Sequence, residues 1–397
     1  MRSFRYLAYF LASACCLVAI EAPSSPLLPI DDNFRALTQN DHRVFGLDYA
    51  GTVWSSDDAG DTFDQAYQIA GDSNDTYYTL LALENTVMTV GTDALMARSG
   101  NDGSEWDATV NTNYIQGDLK ALAARAGTTT VENQWIAVGH DGDQGVVFRS
   151  LNDGINWERY DAGTLFADIE FSGAIWTGSA WLICGLKSQI EIGATDYSGV
   201  IFRSLDGTTW SLVSDAYAAP VRAIASNAAG EVLAVGERGL VLRSTDDGLS
   251  FQRIDGSSFS EDLSSVTADS RGRFIIGGDG KSVLESTAGT LSIIRPAAGG
   301  APGVEALLEA DGAILLSGAF LSTPRTLPFN LRIEMLGNYY RLTVDEALSG
   351  KVYTLETSTV LEGWEAVPGK TDAGYDSSLS WVLPADGLTR FWRVTEF

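Results

Sequence analysis

Histidine occurs only twice in the 397 residues, at His42 and His140, both among polar turn residues. A histidine-built metal centre or a Ser-His-Asp triad therefore has almost no material here. Cysteine is nearly as scarce: Cys15 and Cys16 lie in an N-terminal apolar run, and Cys184 stands alone in the body of the chain. If that run is removed no intramolecular disulfide can form, and Cys184, within Trp181-Leu-Ile-Cys-Gly185, reads as a small core residue. Basic residues number 26 against 52 acidic ones, a formal charge of −26. Such a surface repels phosphate backbones, which excludes nucleic acid as a partner. Beyond the first 22 residues no apolar run is long enough to cross a bilayer, so no membrane span is expected. Glycine loops of the nucleotide-binding kinds are missing, and neither cofactor nor metal is expected. His140-Asp-Gly-Asp143 has the start of a calcium loop without its later ligands.

Residues 1–22 read as an export signal. Arg2 and Arg5 supply the positive start, Tyr6 to Ile20 carry no charge, and Ala22 offers a small residue before Pro23. A secreted, periplasmic or cell-surface location follows as an expectation. Ala14-Cys15 also has the look of a lipoprotein cleavage site, which would make Cys15 a lipid anchor.

What the chain does have is a phrase repeated five times. It reads Ser56-x-Asp58-x-Gly60-x-Thr62-Phe63, Ser99-x-Asn101-x-Gly103-x-x-Trp106, Ser150-x-Asn152-x-Gly154-x-x-Trp157, Ser204-x-Asp206-Gly207-x-x-Trp210 and Ser244-x-Asp246-x-Gly248-x-x-Phe251. The serines are 43, 51, 54 and 40 residues apart, the spacing of four-stranded propeller blades. Serine and Asp or Asn side chains bond backbone groups in a tight turn, glycine takes the positive φ, and the aromatic packs between blades. Those carboxylates and amides are thus turn staples, not catalytic acids. Seven middle strands can be read, from Val44-Phe-Gly46 through Val232-Leu-Ala-Val-Gly236 to Ile314-Leu-Leu-Ser-Gly318. The turn phrase is lost in the last two units, through drift or ring closure. The expected fold is all-β: a seven-bladed β-propeller over 30–325, six blades being the alternative, and a C-terminal β-sandwich over 329–397. The tail's alternating strands carry Trp364, Trp381 and Trp392, readable as sandwich core or as a sugar-stacking platform.

The repeated turns, with Phe148-Arg149-Ser150 and Phe202-Arg203-Ser204 leading into two of them, resemble the Asp-box or BNR repeat. That repeat belongs to bacterial sialidases and to sortilin-like and photosystem II assembly factor-like propellers, and the tail is similar to a C-terminal module of secreted bacterial proteins. The resemblance implies a propeller and leaves function open. A sialidase-like hydrolase would need three arginines, a tyrosine paired with a glutamate, and an aspartate acid. The Arg-Ile-Pro segment of that family is absent, the only Arg-Pro being Arg295-Pro296.

Propellers bind ligands at the channel mouth. Aligning the innermost strands puts Arg35, Leu81, Lys120, Gly173, Arg222, Ser264 and Glu305 at equivalent places. Arg35, Lys120 and Arg222 around one opening would suit a carboxylate ligand, with Glu305 beside them; alternatively they pair with Glu305 and neighbouring aspartates. The leading expectation is a secreted, non-catalytic scaffold that recognises a protein or glycan partner at this mouth. A glycoside hydrolase or lyase, and an assembly or stability factor for an exported complex, are the alternatives.

Overall fold

In the computed structural model the chain divides into two compact units, Leu27–Pro324 and a second that contains Arg325–Phe397. Described are residues 27–29 and 34–317, apart from 61, 69–75, 109–116, 161, 192–193, 255–259, 280–282, 288, 296–302 and 311–312, and then six strands between 330 and 396. The export signal expected at 1–22, with Cys15, lies outside the described residues.

Among the described residues the first unit comprises seven sheets, five of four strands and two of three. Their inner strands, blades 1 to 7 in order, are Phe34–Gln39, Tyr77–Leu83, Asp118–Arg125, Ile169–Trp176, Val221–Ser226, Leu263–Ala268 and Ala306–Ala310. Each inner strand packs beside the next, and the seventh beside the first, so the ring closes into a seven-bladed β-propeller. Within a blade the strands form an antiparallel meander in chain order. The second strands are unbroken apolar runs because sheets cover both their faces; Val232–Gly236 is buried at every position. Blade 7 is built differently. Its middle strand Ala313–Ser317 takes Leu27–Pro29, from the other end of the unit, as a parallel neighbour.

The repeated turn follows the third strand of blades 1 to 5 and leads into a fourth, which in blade 2 is a single bridge between Arg98 and Asp107. In blade 3 the Ser150 hydroxyl, fully buried, accepts the Gly154 N–H at 2.9 Å and donates to Asn152, whose side-chain oxygen accepts the Asn156 N–H at 2.9 Å. Blades 1, 2, 4 and 5 repeat this scheme around Ser56, Ser99, Ser204 and Ser244. The turn glycine packs on the preceding blade: a Cβ on Gly154, at φ +78°, would lie 2.4 Å from the Met88 sulfur. Side chains beside two of the turns lock the seams. Arg98 of blade 2 donates to the Asp153 carboxylate at 2.5 Å and to its carbonyl at 2.6 Å, and Arg203 of blade 4 bonds Asp247 in the same two ways. Ser56 pairs with Val44, which pairs with Gln39, so these turns occupy the rim opposite the starts of the inner strands.

Cys184 is free and fully buried, and burial pushes its thiol pKa up to about 12. In the second unit, Tyr339–Ala347 pairs with Asn330–Leu336 and Ser377–Pro384, while Val352–Ser358 pairs with Glu365–Ala373 and Phe391–Glu396. Trp381 and Trp392 fall on strands opposite Leu342 and Thr357, but their side chains, and all of Trp364, lie outside the described residues. No helix among the described residues is long and apolar enough to cross a membrane.

Candidate functional site

The starts of the first six inner strands are irregular in the same way, whereas the seventh pairs in regular register. Phe34 pairs with Asp48 and Ala36 with Leu47, leaving Arg35 as an extra residue in a bulge. The register slips likewise at Tyr78, Lys120, Ser172, Arg222 and Ser264. In four blades a second-strand glycine is required there by close approach: a Cβ on Gly139 would stand 1.8 Å from the Asp118 carbonyl oxygen. Gly91, Gly185 and Gly236 meet the same obstacle at 2.0–2.1 Å. A bulge re-aims its side chain, so each of blades 1 to 6 presents one residue at this rim. Glu305 stands just before the seventh inner strand, its N–H bonded to the Ser317 carbonyl at 2.9 Å.

The bulges correct the alignment made from sequence. Tyr78 occupies the place given to Leu81, and Ser172 that given to Gly173. A buried apolar residue precedes every bulged one, as Tyr77 precedes Tyr78 and Phe171 precedes Ser172, and this is the signal that finds them.

Three of the four expected site residues come together. The Arg35 guanidinium lies 5.1 Å from the centre of the Tyr49 ring and 5.0 Å from that of Tyr78, and the Lys120 ammonium is 3.4 Å from the Tyr78 centre. Tyr49 donates to Glu305. The cluster therefore runs from blade 7 through blades 1 and 2 to blade 3. Arg222, on blade 5, pairs instead with Glu237 of its own blade.

Charge is mostly balanced within the cluster, rather than forming an open positive spot. Lys120 bonds Asp118 at 3.0 Å, and Tyr78 donates to the same carboxylate at 3.2 Å. Burial works against ionisation of Asp118, but Lys120, the Asp93 N–H and Tyr78 outweigh it and hold its pKa below the usual value. Partial burial raises the Tyr49 phenol pKa, the Glu305 hydrogen bond and charge raise it further, and Arg35 opposes them. Arg35 is the exception to the pairing. Half-buried, it makes ring contacts but no hydrogen bond or ion pair with any described residue. Around His140, Gly142 at φ +58° turns the hairpin between the second and third strands of blade 3. No group of three His, Cys, Asp or Glu among the described residues is placed to hold a metal ion.

No protein-family model matches the sequence, and no curated protein matches it. Among solved structures the chain is similar to the WD40 β-propeller domain of Doa1, at 15% identity over 73% of this chain and 90% of that one, with a TM-score of 0.51. It is similar to the GH74 enzyme of Niastella koreensis at 12% identity and TM-score 0.50, covering 86% of this chain and 60% of that one. A structure of YCF48 bound to a D1 peptide matches at 12% identity and TM-score 0.49, over 81% of this chain and 96% of that one. At such identities the likeness is one of fold, the β-propeller.

Proposed function

We propose that this chain is an exported, non-catalytic binding module whose propeller takes a carboxylate group of a protein or glycan partner at the rim of blades 7, 1, 2 and 3. Arg35 carries this reading: a guanidinium with no carboxylate partner among the described residues, in a chain that has two acids for every base. Two tyrosine rings lie about 5 Å from it and none of its N–H groups bonds a described residue, which suits bidentate recognition of a carboxylate. Tyr49, 44% exposed, adds an aromatic face beside it.

Calorimetric titration with sialyllactose, oligogalacturonate and a tetra-aspartate peptide, each against its neutral counterpart, tests the reading. One acidic probe binds and its counterpart does not. Arg35→Ala weakens that binding by about tenfold or more, as expected for charged hydrogen bonds worth about 1.5–3 kcal/mol, whereas Arg222→Ala leaves it unchanged. Equal binding by wild type and Arg35→Ala, or silence from every acidic probe at millimolar concentration, overturns it.

The Tyr49–Glu305 hydrogen bond supports a second reading, a sialidase-like hydrolase with Tyr49 as nucleophile. Against it, Tyr49 is held in its neutral form, the reverse of an activated phenolate. Turnover of a fluorogenic sialoside that disappears in Tyr49→Phe would establish the hydrolase and displace the binding module.

A further inference from the structure

We propose that the seam between blades 3 and 4 is a second binding site, on the rim opposite Arg35, which accepts an aspartate or glutamate side chain from a partner protein. The argument is an internal comparison. The turn of blade 4, Ser204-Leu-Asp206-Gly207, is one residue shorter than Ser150-Leu-Asn152-Asp153-Gly154 and Ser244-Thr-Asp246-Asp247-Gly248. The missing residue is the one that supplies Asp153 and Asp247.

In the blade 2–3 seam, Asp153 receives Arg98 Nε on its carbonyl at 2.6 Å, and its carboxylate receives Arg98 Nη2 at 2.5 Å and Trp135 Nε1 at 3.2 Å. Arg149 and Trp181 hold the positions of Arg98 and Trp135 in the next seam: Arg149 precedes the turn serine Ser150, and Trp181 pairs with Ser204 as Trp135 pairs with Ser150. Both donors are there and the acid is not. Arg149 Nε and Trp181 Nε1 are buried with no hydrogen-bond partner among the described residues, and Trp181 is only 1% exposed. They flank the shortened turn, since a Cβ on Gly207 would lie 3.3 Å from Arg149 Cδ and 3.6 Å from Trp181 Nε1.

Buried donors left unmade are costly and native structures rarely keep them, so two at one seam mark a place for an acceptor. Its chemistry is given by the neighbouring seams, where a carboxylate fills the place. The surroundings fit a protein as the source. Leu151, Ile155, Leu205 and Leu249, on the turns of blades 3, 4 and 5, are 46–64% exposed on this rim. Single exposed apolar side chains are ordinary, but four on three successive turns offer apolar contact beside the donors.

The indole N–H resonance of Trp181, assigned by its loss in Trp181→Phe, reports occupancy directly. The probe is acetyl-Leu-Asp-Leu-amide, with acetyl-Leu-Asn-Leu-amide as control. The aspartyl peptide shifts that resonance saturably, while the asparaginyl peptide binds at least tenfold more weakly. Arg149→Gln and Leu205→Ser each weaken the response, and Arg35→Ala leaves it intact, which separates this site from the one above. A variant with an aspartate inserted between Asp206 and Gly207 fills the place from within, melts at a higher temperature than wild type and no longer responds to the peptide. An unmoved Trp181 resonance, equal binding of the two peptides, or an insertion variant that responds like wild type overturns the proposal.

Discussion

At the scale of the residue, the turn phrase is a chemical staple with interchangeable acceptors. Asp246 accepts the Ser250 N–H at 3.0 Å and the Ser250 hydroxyl at 2.6 Å, bonds that Asn101 and Asn152 make in part with an amide oxygen. The aspartate differs in titrating. Hydrogen bonds from Ser250 and Ser244 hold the Asp246 pKa down to about 2. An unfolded aspartate titrates near about 3.9, so the stabilisation from these bonds is complete above that pH and is lost as pH falls toward 2. Asp206 is depressed as well, its Thr209 and Thr208 hydrogen bonds outweighing the opposing effect of burial. Melting temperature should therefore fall between about pH 4 and pH 2. Asp246→Asn should fold, be slightly less stable near neutrality and show a shallower acid fall, because Asp206 still titrates. Parallel acid limbs in a series of melts from pH 2 to 6 would refute this role.

At the scale of the element, strands whose pattern is local were legible and contacts between strands were not. Middle strands such as Val232–Gly236 announce themselves by apolar runs closed by glycine, and the turn serines mark where third strands end. The inner-strand bulge inserts one residue without a composition change, so the alignment reached Arg35, Lys120, Arg222, Ser264 and Glu305 but slid past Tyr78 and Ser172. Tyr49 was missed for another reason: it sits on a hairpin after the second strand, and only folding brings it to Glu305 of blade 7. The seam locks were equally invisible, since Arg98 and Asp153 are remote in sequence. Their coupling can be measured. Asp153 also accepts Thr86 at 2.6 Å and Asn133 at 3.1 Å, so Asp153→Ala strands several donors at once. It should cost about 1.5–3 kcal/mol, and a double-mutant cycle with Arg98→Gln should show about 0.5–3 kcal/mol of coupling. Additive denaturation midpoints would mean the lock contributes nothing.

At the scale of the whole molecule, a propeller has to join its last sheet to its first. The seventh repeat has lost the turn phrase, and among the described residues its middle strand Ala313–Ser317 would be left with one neighbour, Ala306–Ala310. Leu27–Pro29 supplies the other, in parallel, from the opposite end of the unit. No motif in that stretch announces it, because a three-residue parallel pairing depends on where the ring has already brought the chain. The pairing covers a sheet edge whose N–H and C=O groups would otherwise be open. It also ties blade 7 to the segment that leads into Phe34, whose N–H is bonded to the buried Ser317 hydroxyl at 2.8 Å. Closure is therefore a local stability that can be removed by itself. Replacing Leu27–Pro29 with Gly-Ser-Gly should speed amide exchange in Ala313–Ser317 by about tenfold or more, the consequence of about 1.4 kcal/mol lost from local opening. Exchange in the blade 3 strand Gln134–Asp141, on the far side of the ring, should hardly change, and the melting temperature should fall. If Ala313–Ser317 stays as protected as in wild type, closure resides instead in the packing of the first and seventh inner strands, Phe34–Gln39 and Ala306–Ala310.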